Sequence, residues 1–306
     1  MSPYSKKPIA EANRLSKLLN MSLGIERYPV DIEQLALQYA AQFGYADGIT
    51  AVVGRDLPGF EGALYKVGEK NKSSWAIIYN SSISSSGRVR FTIAHELGHY
   101  IMHRSQSDIF NCGEEDMLNW AASERRIEAE ADTFASYLLM PMDDFRREVG
   151  SEVTDLDALA KCATRYGVSL TAAILKWLEF TDQRATLAIS RDGYLMWAKS
   201  SEAAVKSGAY LKTRDTPMEV PAGSLAASGA VLADERKGIE LNANVWFRHE
   251  PADMSMREFR ITSDRYDLIM SLLLLPRTEK SWLIELDKDE TPLLDERILS
   301  GHFAKR

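Results

Sequence analysis

At its most informative point the chain reads Phe91-Thr92-Ile93-Ala94-His95-Glu96-Leu97-Gly98-His99-Tyr100, an apolar stretch that contains the pattern His-Glu-x-x-His. Residues four apart lie on one face of an α-helix, about 5–6 Å from each other, so His95 and His99 can reach one metal ion. Glu96 lies about 100° round the helix from His95, which suits a base better than a third ligand. The stretch therefore predicts a metal site on a helix spanning about 89–103.

The spacing of the two histidines is the one used by zinc peptidases. The rival explanation is an accidental pairing on a buried helix, which the long apolar context disfavours. A catalytic zinc takes three protein ligands and leaves one position for water, so a third ligand is needed. On a continued helix His103 lies about 12 Å along the axis from His95. His103 is therefore interpreted as a polar residue near the helix C-terminus, where the dipole favours it.

A second long helix is predicted for residues 123–140, ended by Pro141. Glu128 and Asp132 share one of its faces, so Glu128 can ligate zinc while Asp132 accepts the outer N–H of a ligand histidine. Glu130 points elsewhere and is expected to be solvated. An ordinary amphipathic helix with acidic surface residues is the alternative. Further candidates for the third ligand are Cys112, Glu114, Glu115 and Asp116.

The residues before this helix pair predict two more helices and a small sheet. Ala10, Leu15 and Leu19 recur at helical spacing, and Pro29-Val30-Asp31-Ile32 is typical of a helix start. Three short β-prone runs, 51–53, 62–65 and 75–79, predict an antiparallel sheet. Residues 105–119 are polar and are predicted to form a loop or a short helix.

Residues 155–180 predict two helices separated at Tyr166-Gly167-Val168-Ser169, an arrangement similar to a helix-turn-helix. Their charges nearly balance, however, which favours a packing or partner-binding role over direct DNA binding. Beyond them a hairpin with Gly193 at its turn is predicted. Further candidate strands are 244–248, 257–262, 266–274 and 281–287.

The composition is that of a folded globular protein, with 306 residues, 45% hydrophobic and 26% charged. A net charge of -7 argues against a broad nucleic-acid-coating surface. Two distant cysteines, Cys112 and Cys162, exclude a disulfide framework. No signal sequence is readable, and the longest apolar run, 272–275, is far below the roughly 20 residues of a membrane span. A cytoplasmic protein without membrane contact is expected.

Two motifs together, 87–99 and 128–141, resemble the ImmA/IrrE family of bacterial and phage metallopeptidases. The resemblance covers about residues 25–145. It implies a gluzincin-like zinc site with His95, His99 and Glu128 as ligands and Glu96 as the base for the attacking water. It also implies a protein substrate, an Xre-type helix-turn-helix repressor, whose cleavage switches on stress, phage or mobile-element genes.

The expected fold class is α+β, in three parts. Residues 1–150 are predicted to be a zincin-like metallopeptidase domain with helices packed on a small sheet. Residues 151–182 are a helical segment similar to a helix-turn-helix, and residues 183–306 form a mixed α/β domain, either a GAF-like sensor or a substrate-recruiting domain. The expected function is that of a zinc endopeptidase. The alternative is a DNA-binding or protein-binding regulator with a non-proteolytic zinc site.

Overall fold

The computed structural model describes residues 7–68, 73–113, 122–150, 155–213, 217–228, 236–263 and 267–277. These residues form helices and two sheets, which confirms the predicted α+β class. The helices are α1 (Pro8–Leu23), α2 (Ile32–Phe43), α3 (Ser86–Met102), α4 (Ala122–Leu139), α5 (Met142–Val149), α6 (Leu156–Tyr166), α7 (Leu170–Leu178) and α8 (Glu202–Lys206). The strands are β1 (Ile49–Arg55), β2 (Phe60–Val67), β3 (Ser74–Asn80), β4 (Ile109–Gly113), β5 (Arg184–Arg191), β6 (Tyr194–Ser200), β7 (Met218–Glu219), β8 (Ile239–Asn242), β9 (Ser255–Ser263) and β10 (Leu268–Leu275).

The described residues divide into two compact units. The first, called the N-terminal unit here, comprises residues up to 150 together with 161–170. The second, the C-terminal unit, comprises residues 155–160 and 171–277. None of the helices in the described ranges combines the length and the apolar character that a membrane span requires.

The sheet of the N-terminal unit has the order β1-β3-β2-β4. The prediction of a purely antiparallel sheet was wrong in one pairing, because β1 runs parallel to β3. The reason lies in the connections: β2 and β3 form an antiparallel pair, and β1 joins on the far side of β3. Strand order of this kind depends on tertiary contacts, so the local pattern of β-prone runs does not contain it.

Strand β4 corrects a second prediction, since residues 109–113 were expected to be a loop or a short helix. They pair with β2 instead, with Leu64 opposite Phe110 and Ala63 opposite Asn111. The segment is only five residues long and lies in a polar stretch, so the local pattern did not identify it, and the ladder with β2 establishes its extended form. As a result β4 forms one edge of this sheet in the described residues.

Helix α3 is buried along its whole central part. Every residue from Thr92 to Ile101 is buried, because the helix packs on the sheet on one side and on α4 on the other. Gly98 permits the close approach of α4, since a Cβ there would lie 3.0 Å from the ring of Phe134 and 3.4 Å from the Cα of Ala131. Gly98 and Ala131 therefore let the two helices approach closely.

Helices α6 and α7 meet at a turn that is fixed inside the N-terminal unit. Gly167 has a φ of 61°, a conformation that glycine adopts without strain. Its carbonyl oxygen accepts a hydrogen bond from Arg90 Nε at 3.1 Å, and another guanidinium nitrogen of Arg90 donates to the carbonyl of Val30. None of the residues of α7 is exposed. The turn predicted at residues 166–169 is confirmed.

The sheet of the C-terminal unit has the order β7-β6-β5-β10-β9-β8, with antiparallel pairs throughout. The predicted hairpin is β5–β6, and the candidate strands 257–262 and 266–274 correspond to β9 and β10. The candidate strand 244–248 was wrong, because residues Ala243–Val245 form a 3₁₀ helix. Asn242 caps this turn by accepting a hydrogen bond from Asn244 N. The candidate strand 281–287 lies outside the described residues.

Candidate functional site

Three side chains from α3 and α4 converge on one point. His95 Nε2 lies 2.9 Å from His99 Nε2 and 3.1 Å from Glu128 Oε2, while His99 Nε2 lies 3.2 Å from Glu128 Oε1. The ligand atoms of the three residues all lie within 4.8 Å of one another. Among the described residues, this is the group that could hold a metal ion.

The site lies at the edge of the buried interface between the two helices. His99 is fully buried, whereas the Glu128 side chain is 20% exposed and Asp132 37%. Exposure therefore increases from α3 towards the outer face of α4.

His95 is held at its other ring nitrogen by Asp132. The distance from His95 Nδ1 to Asp132 Oδ1 is 2.9 Å. Because an ionised carboxylate only accepts hydrogen bonds, Nδ1 carries the proton and donates it. Nε2 faces a second carboxylate, Glu128, at 3.1 Å, and a cation bound there would require the lone pair on Nε2 and the proton on Nδ1. Asp132 thus has the contact that the sequence predicted for it.

His99 has two further neighbours that sequence reasoning did not include. Its Nδ1 lies 3.1 Å from Nδ1 of His103, and its ring stacks on Phe110 of β4, with ring centroids 4.7 Å apart. His103 in turn places Nε2 3.1 Å from Glu130 Oε2. The expectation that Glu130 is solvated was wrong, since it contacts both His103 and Arg126 and its side chain is only 22% exposed.

The charge states of these groups follow from their surroundings. Burial lowers the pKa of His99 to about 4, so its imidazole is neutral at pH 7. Burial alone raises the pKa of Glu128, but the contacts with His95 and His99 outweigh it and hold the pKa well below the ordinary value. The cluster at neutral pH therefore contains one carboxylate and a neutral His99 imidazole.

The donor set fits a divalent cation of the zinc type. In a tetrahedral site with metal–nitrogen bonds near 2.0–2.1 Å, neighbouring ligand atoms lie about 3.3 Å apart. The three separations measured here, 2.9, 3.1 and 3.2 Å, are close to that value. Two imidazole nitrogens and a carboxylate oxygen are ligands that zinc accepts readily. A cation placed between them also offsets the repulsion of lone pairs that face one point.

Glu96 is fully buried on α3, beside the strand that covers this part of the helix. A Cβ at Gly62 of β2 would overlap the methyl group of Thr92 and would lie 3.1 Å from Glu96 Oε1. The absence of a side chain at residue 62 therefore leaves room for the carboxylate of Glu96. Sequence reasoning missed Gly62 because β2 and α3 are separated along the chain.

Of the other residues considered as a third ligand, the structure describes the side chain of His103. The side chain of Cys112 and the residues Glu114, Glu115 and Asp116 lie outside the described residues. His103 is buried one turn after His99 and contacts its Nδ1, so it lies on the outer side of His99. The sequence contained a signal for the contact between His103 and Glu130. His103 caps the C-terminus of α3 and Glu130 lies on α4, and both helices carry motif residues.

Comparison with known proteins gives one match to a family. Residues 52–178 match the family model described as Peptidase_M78, IrrE N-terminal-like domain. A comparison with curated proteins finds no match to the chain. The matched residues include both helices of the site, α3 and α4. Residues 52–178 are thus similar to the IrrE N-terminal-like domain of the Peptidase_M78 family, and this match supports the resemblance to the ImmA/IrrE family.

Proposed function

We propose that the protein is a zinc-dependent endopeptidase of the gluzincin type, with a zincin-like domain within residues 1–150. His95, His99 and Glu128 are the metal ligands, Glu96 is the general base, and Asp132 orients His95. The observation that carries this proposal is the convergence of three ligand atoms within 4.8 Å of one another. The buried residue Glu96 follows the ligand His95 directly in the sequence.

Zinc is proposed because of the ligand chemistry. Structural zinc sites are closed by four protein ligands, whereas catalytic sites use three and keep a position open. Three side chains form the group among the described residues, and their types match the His₂Glu set of catalytic sites. The chemistry that such an ion supplies when bound is Lewis-acid activation of a water molecule and of the scissile carbonyl.

The residues of the chain then perform the proton transfers. Glu96 accepts a proton from the attacking water at a carboxylate oxygen, and delivers it to the nitrogen of the leaving amine as the peptide bond breaks. The close passage of β2 at Gly62 excludes solvent from one side of Glu96. As a ligand, the carboxylate of Glu128 would balance part of the charge of the cation.

Strand β4 offers a way to hold the substrate. It forms an edge of the four-stranded sheet in the described residues, and an edge strand presents backbone N–H and C=O groups that pair with an extended peptide. Phe110 of this strand lies against His99, so a peptide bound along β4 passes beside the ligand cluster. An extended segment in the middle of a longer protein can pair along β4 in this way, which supports endopeptidase activity.

The resemblance to the ImmA/IrrE family supports a repressor as the substrate. We infer that the substrate is an Xre-type helix-turn-helix repressor, whose cleavage switches on stress, phage or mobile-element genes. We further propose that the C-terminal unit senses a ligand or recruits this substrate, because the groups that the chemistry requires all lie on α3 and α4.

The rival function, a DNA-binding regulator with a non-proteolytic site, is less well supported. DNA reading needs an exposed helix with basic side chains. In α7 none of the residues is exposed, and Lys176 is buried beside Glu179. The turn before this helix is occupied by its contact with Arg90. These contacts support a packing role for α6 and α7.

The proposal is tested with the purified protein and the Xre-type repressor encoded beside its gene. Incubation with zinc is expected to produce discrete fragments, and a chelator is expected to stop the reaction until zinc is restored. The Glu96→Gln variant, which preserves shape but removes the proton acceptor, serves as the inactive control. Cleavage that continues in the chelator, or in this variant, would refute the mechanism.

A further inference from the structure

The two histidines of the proposed site are supported in different ways at their outer nitrogens. His95 contacts a carboxylate directly, through Asp132. His99 contacts a second imidazole, with 3.1 Å between its Nδ1 and Nδ1 of His103. The carboxylate on this side, Glu130, is one residue further out, 3.1 Å from Nε2 of His103. The three side chains form a continuous series from the buried helix to the protein surface.

Proton counting assigns a direction to this series. The carboxylate of Glu130 accepts, so Nε2 of His103 is the protonated nitrogen. A neutral His103 then has its lone pair on Nδ1, which accepts a hydrogen bond from Nδ1–H of His99. A cation held by Glu128 and His95 would require the lone pair of His99 on Nε2, and this direction of the series supplies it.

We propose that His103 is a positioning residue that selects the metal-binding tautomer of His99, and that Glu130 selects the tautomer of His103. This inference rests on the proposed zinc site. His103 does not touch the metal position. It acts through His99, as Asp132 acts through His95, and so both ligand nitrogens present a lone pair to the cation.

The surroundings make the contact hard to replace. His99 and His103 are 0% and 1% exposed, so solvent does not substitute for a lost hydrogen bond between them. Phe110 stacks on His99 and restricts its ring, but a phenyl ring supplies no hydrogen-bond acceptor that could select a tautomer.

The chain offers a matched control for Glu130. Its Oε1 pairs with Arg126 at 2.8 Å, and the Arg126 side chain is 69% exposed. Removing Arg126 deletes a surface ion pair but leaves the contact between Oε2 and His103. Removing the Glu130 side chain deletes both the ion pair with Arg126 and the contact with His103. The difference between Glu130→Ala and Arg126→Ala therefore isolates the contact with His103.

The experiment measures zinc affinity by chelator competition in the full chain, with folding followed by circular dichroism. His103→Leu, which fills space without an acceptor, is expected to bind zinc about 10–100-fold more weakly. His103→Asn places an amide oxygen near the position of Nδ1 and is expected to restore affinity to within a few-fold of the unmodified protein. Glu130→Ala is expected to weaken binding, whereas Arg126→Ala is expected to leave it unchanged.

A second measurement reads the tautomer itself. Nitrogen-15 NMR of the histidine rings is expected to show the proton of His99 on Nδ1 and that of His103 on Nε2. Should His103→Leu fail to fold, the Asn variant, the Glu130 pair and these spectra still decide the question. The proposal is overturned if the Asn variant is as weak as the Leu variant, if Glu130→Ala equals Arg126→Ala, or if His99 is protonated on Nε2. An unmodified protein that binds no zinc would instead contradict the proposed function.

Discussion

One carboxylate from each unit, Glu258 and Glu128, has opposite surroundings. In the C-terminal unit Glu258 is fully buried and accepts three hydrogen bonds of 2.9 Å, from Leu225 N, Ala226 N and Trp246 Nε1. In the N-terminal unit the buried nitrogens of His95 and His99 converge with the carboxylate of Glu128. Hydrogen-bond donors surround the carboxylate of Glu258. The carboxylate of Glu128 instead lies beside two imidazole nitrogens that can bind a cation. Buried charge indicates a binding site only in the second arrangement.

Arg184 and Glu250 extend the comparison within the C-terminal unit. They form a buried ion pair, and Arg184 also donates to the hydroxyl of Ser207. Such groups cross-link strands and loops, and their protein partners satisfy them. We therefore expect substitutions of His95, His99 or Glu128 to change metal binding and rate. Substitutions of the buried charged groups of the C-terminal unit are expected to change stability.

The largest effect is expected for His99→Ala. It removes a ligand from a three-ligand site, so zinc content and cleavage are both expected to fall to background. Metal analysis of the dialysed protein measures the first and a cleavage assay the second. The control is His249→Ala, which removes an exposed histidine of the C-terminal unit. Full zinc occupancy in the His99 variant would show that the ion lies elsewhere.

Glu96→Gln is expected to separate binding from catalysis. Loss of a general base typically lowers the rate by about 10²–10⁴-fold, while zinc content should stay at the level of the unmodified protein. The two quantities are measured on the same preparation, by metal analysis and by steady-state kinetics. If the variant loses its zinc, Glu96 acts as a ligand and the assignment of Glu128 is in error.

Glu258→Ala tests the other side of the comparison. Three buried donors lose their common acceptor, so the free energy of unfolding of the C-terminal unit is expected to fall by about 3–5 kcal/mol. Chemical denaturation measures this change, and zinc affinity should not alter. The control is Glu240→Ala, whose exposed pair with Arg257 is expected to contribute less than about 1 kcal/mol. A similar small loss for both variants would contradict the description of Glu258.

Gly62→Ala is expected to have the smallest effect of the four. The added methyl group meets Thr92 and the carboxylate of Glu96, and overpacking of this kind costs about 1–3 kcal/mol. We expect a lower rate with unchanged zinc content, since none of the three atoms nearest to the added Cβ belongs to a proposed ligand. At Gly223 a Cβ would meet only ordinary contacts of 3.6 Å and more, so Gly223→Ala is the control. Equal rates for the two variants would argue against the role given to Gly62.

The sequence predicted which side chains of α3 and α4 lie close together better than it predicted the sheet around them. The face shared by Glu128 and Asp132 follows from helical periodicity, and the structure brings both beside His95. Strand β4 and the parallel pairing of β1 with β3 depend on partners distant in sequence, which periodicity does not encode. The prediction for Glu130 was wrong for a related reason. It considered the faces of α4 alone, whereas the contact that covers Glu130 comes from His103 at the end of α3.

The central claim is that two histidines and one glutamate hold a single zinc ion. A crystal of the zinc-loaded protein, measured on both sides of the zinc absorption edge, tests it most directly. The account predicts one anomalous peak per chain, at about 2.0–2.2 Å from Nε2 of His95, Nε2 of His99 and a carboxylate oxygen of Glu128. A peak coordinated by Glu96 in place of Glu128, or the absence of a peak between α3 and α4, would contradict it.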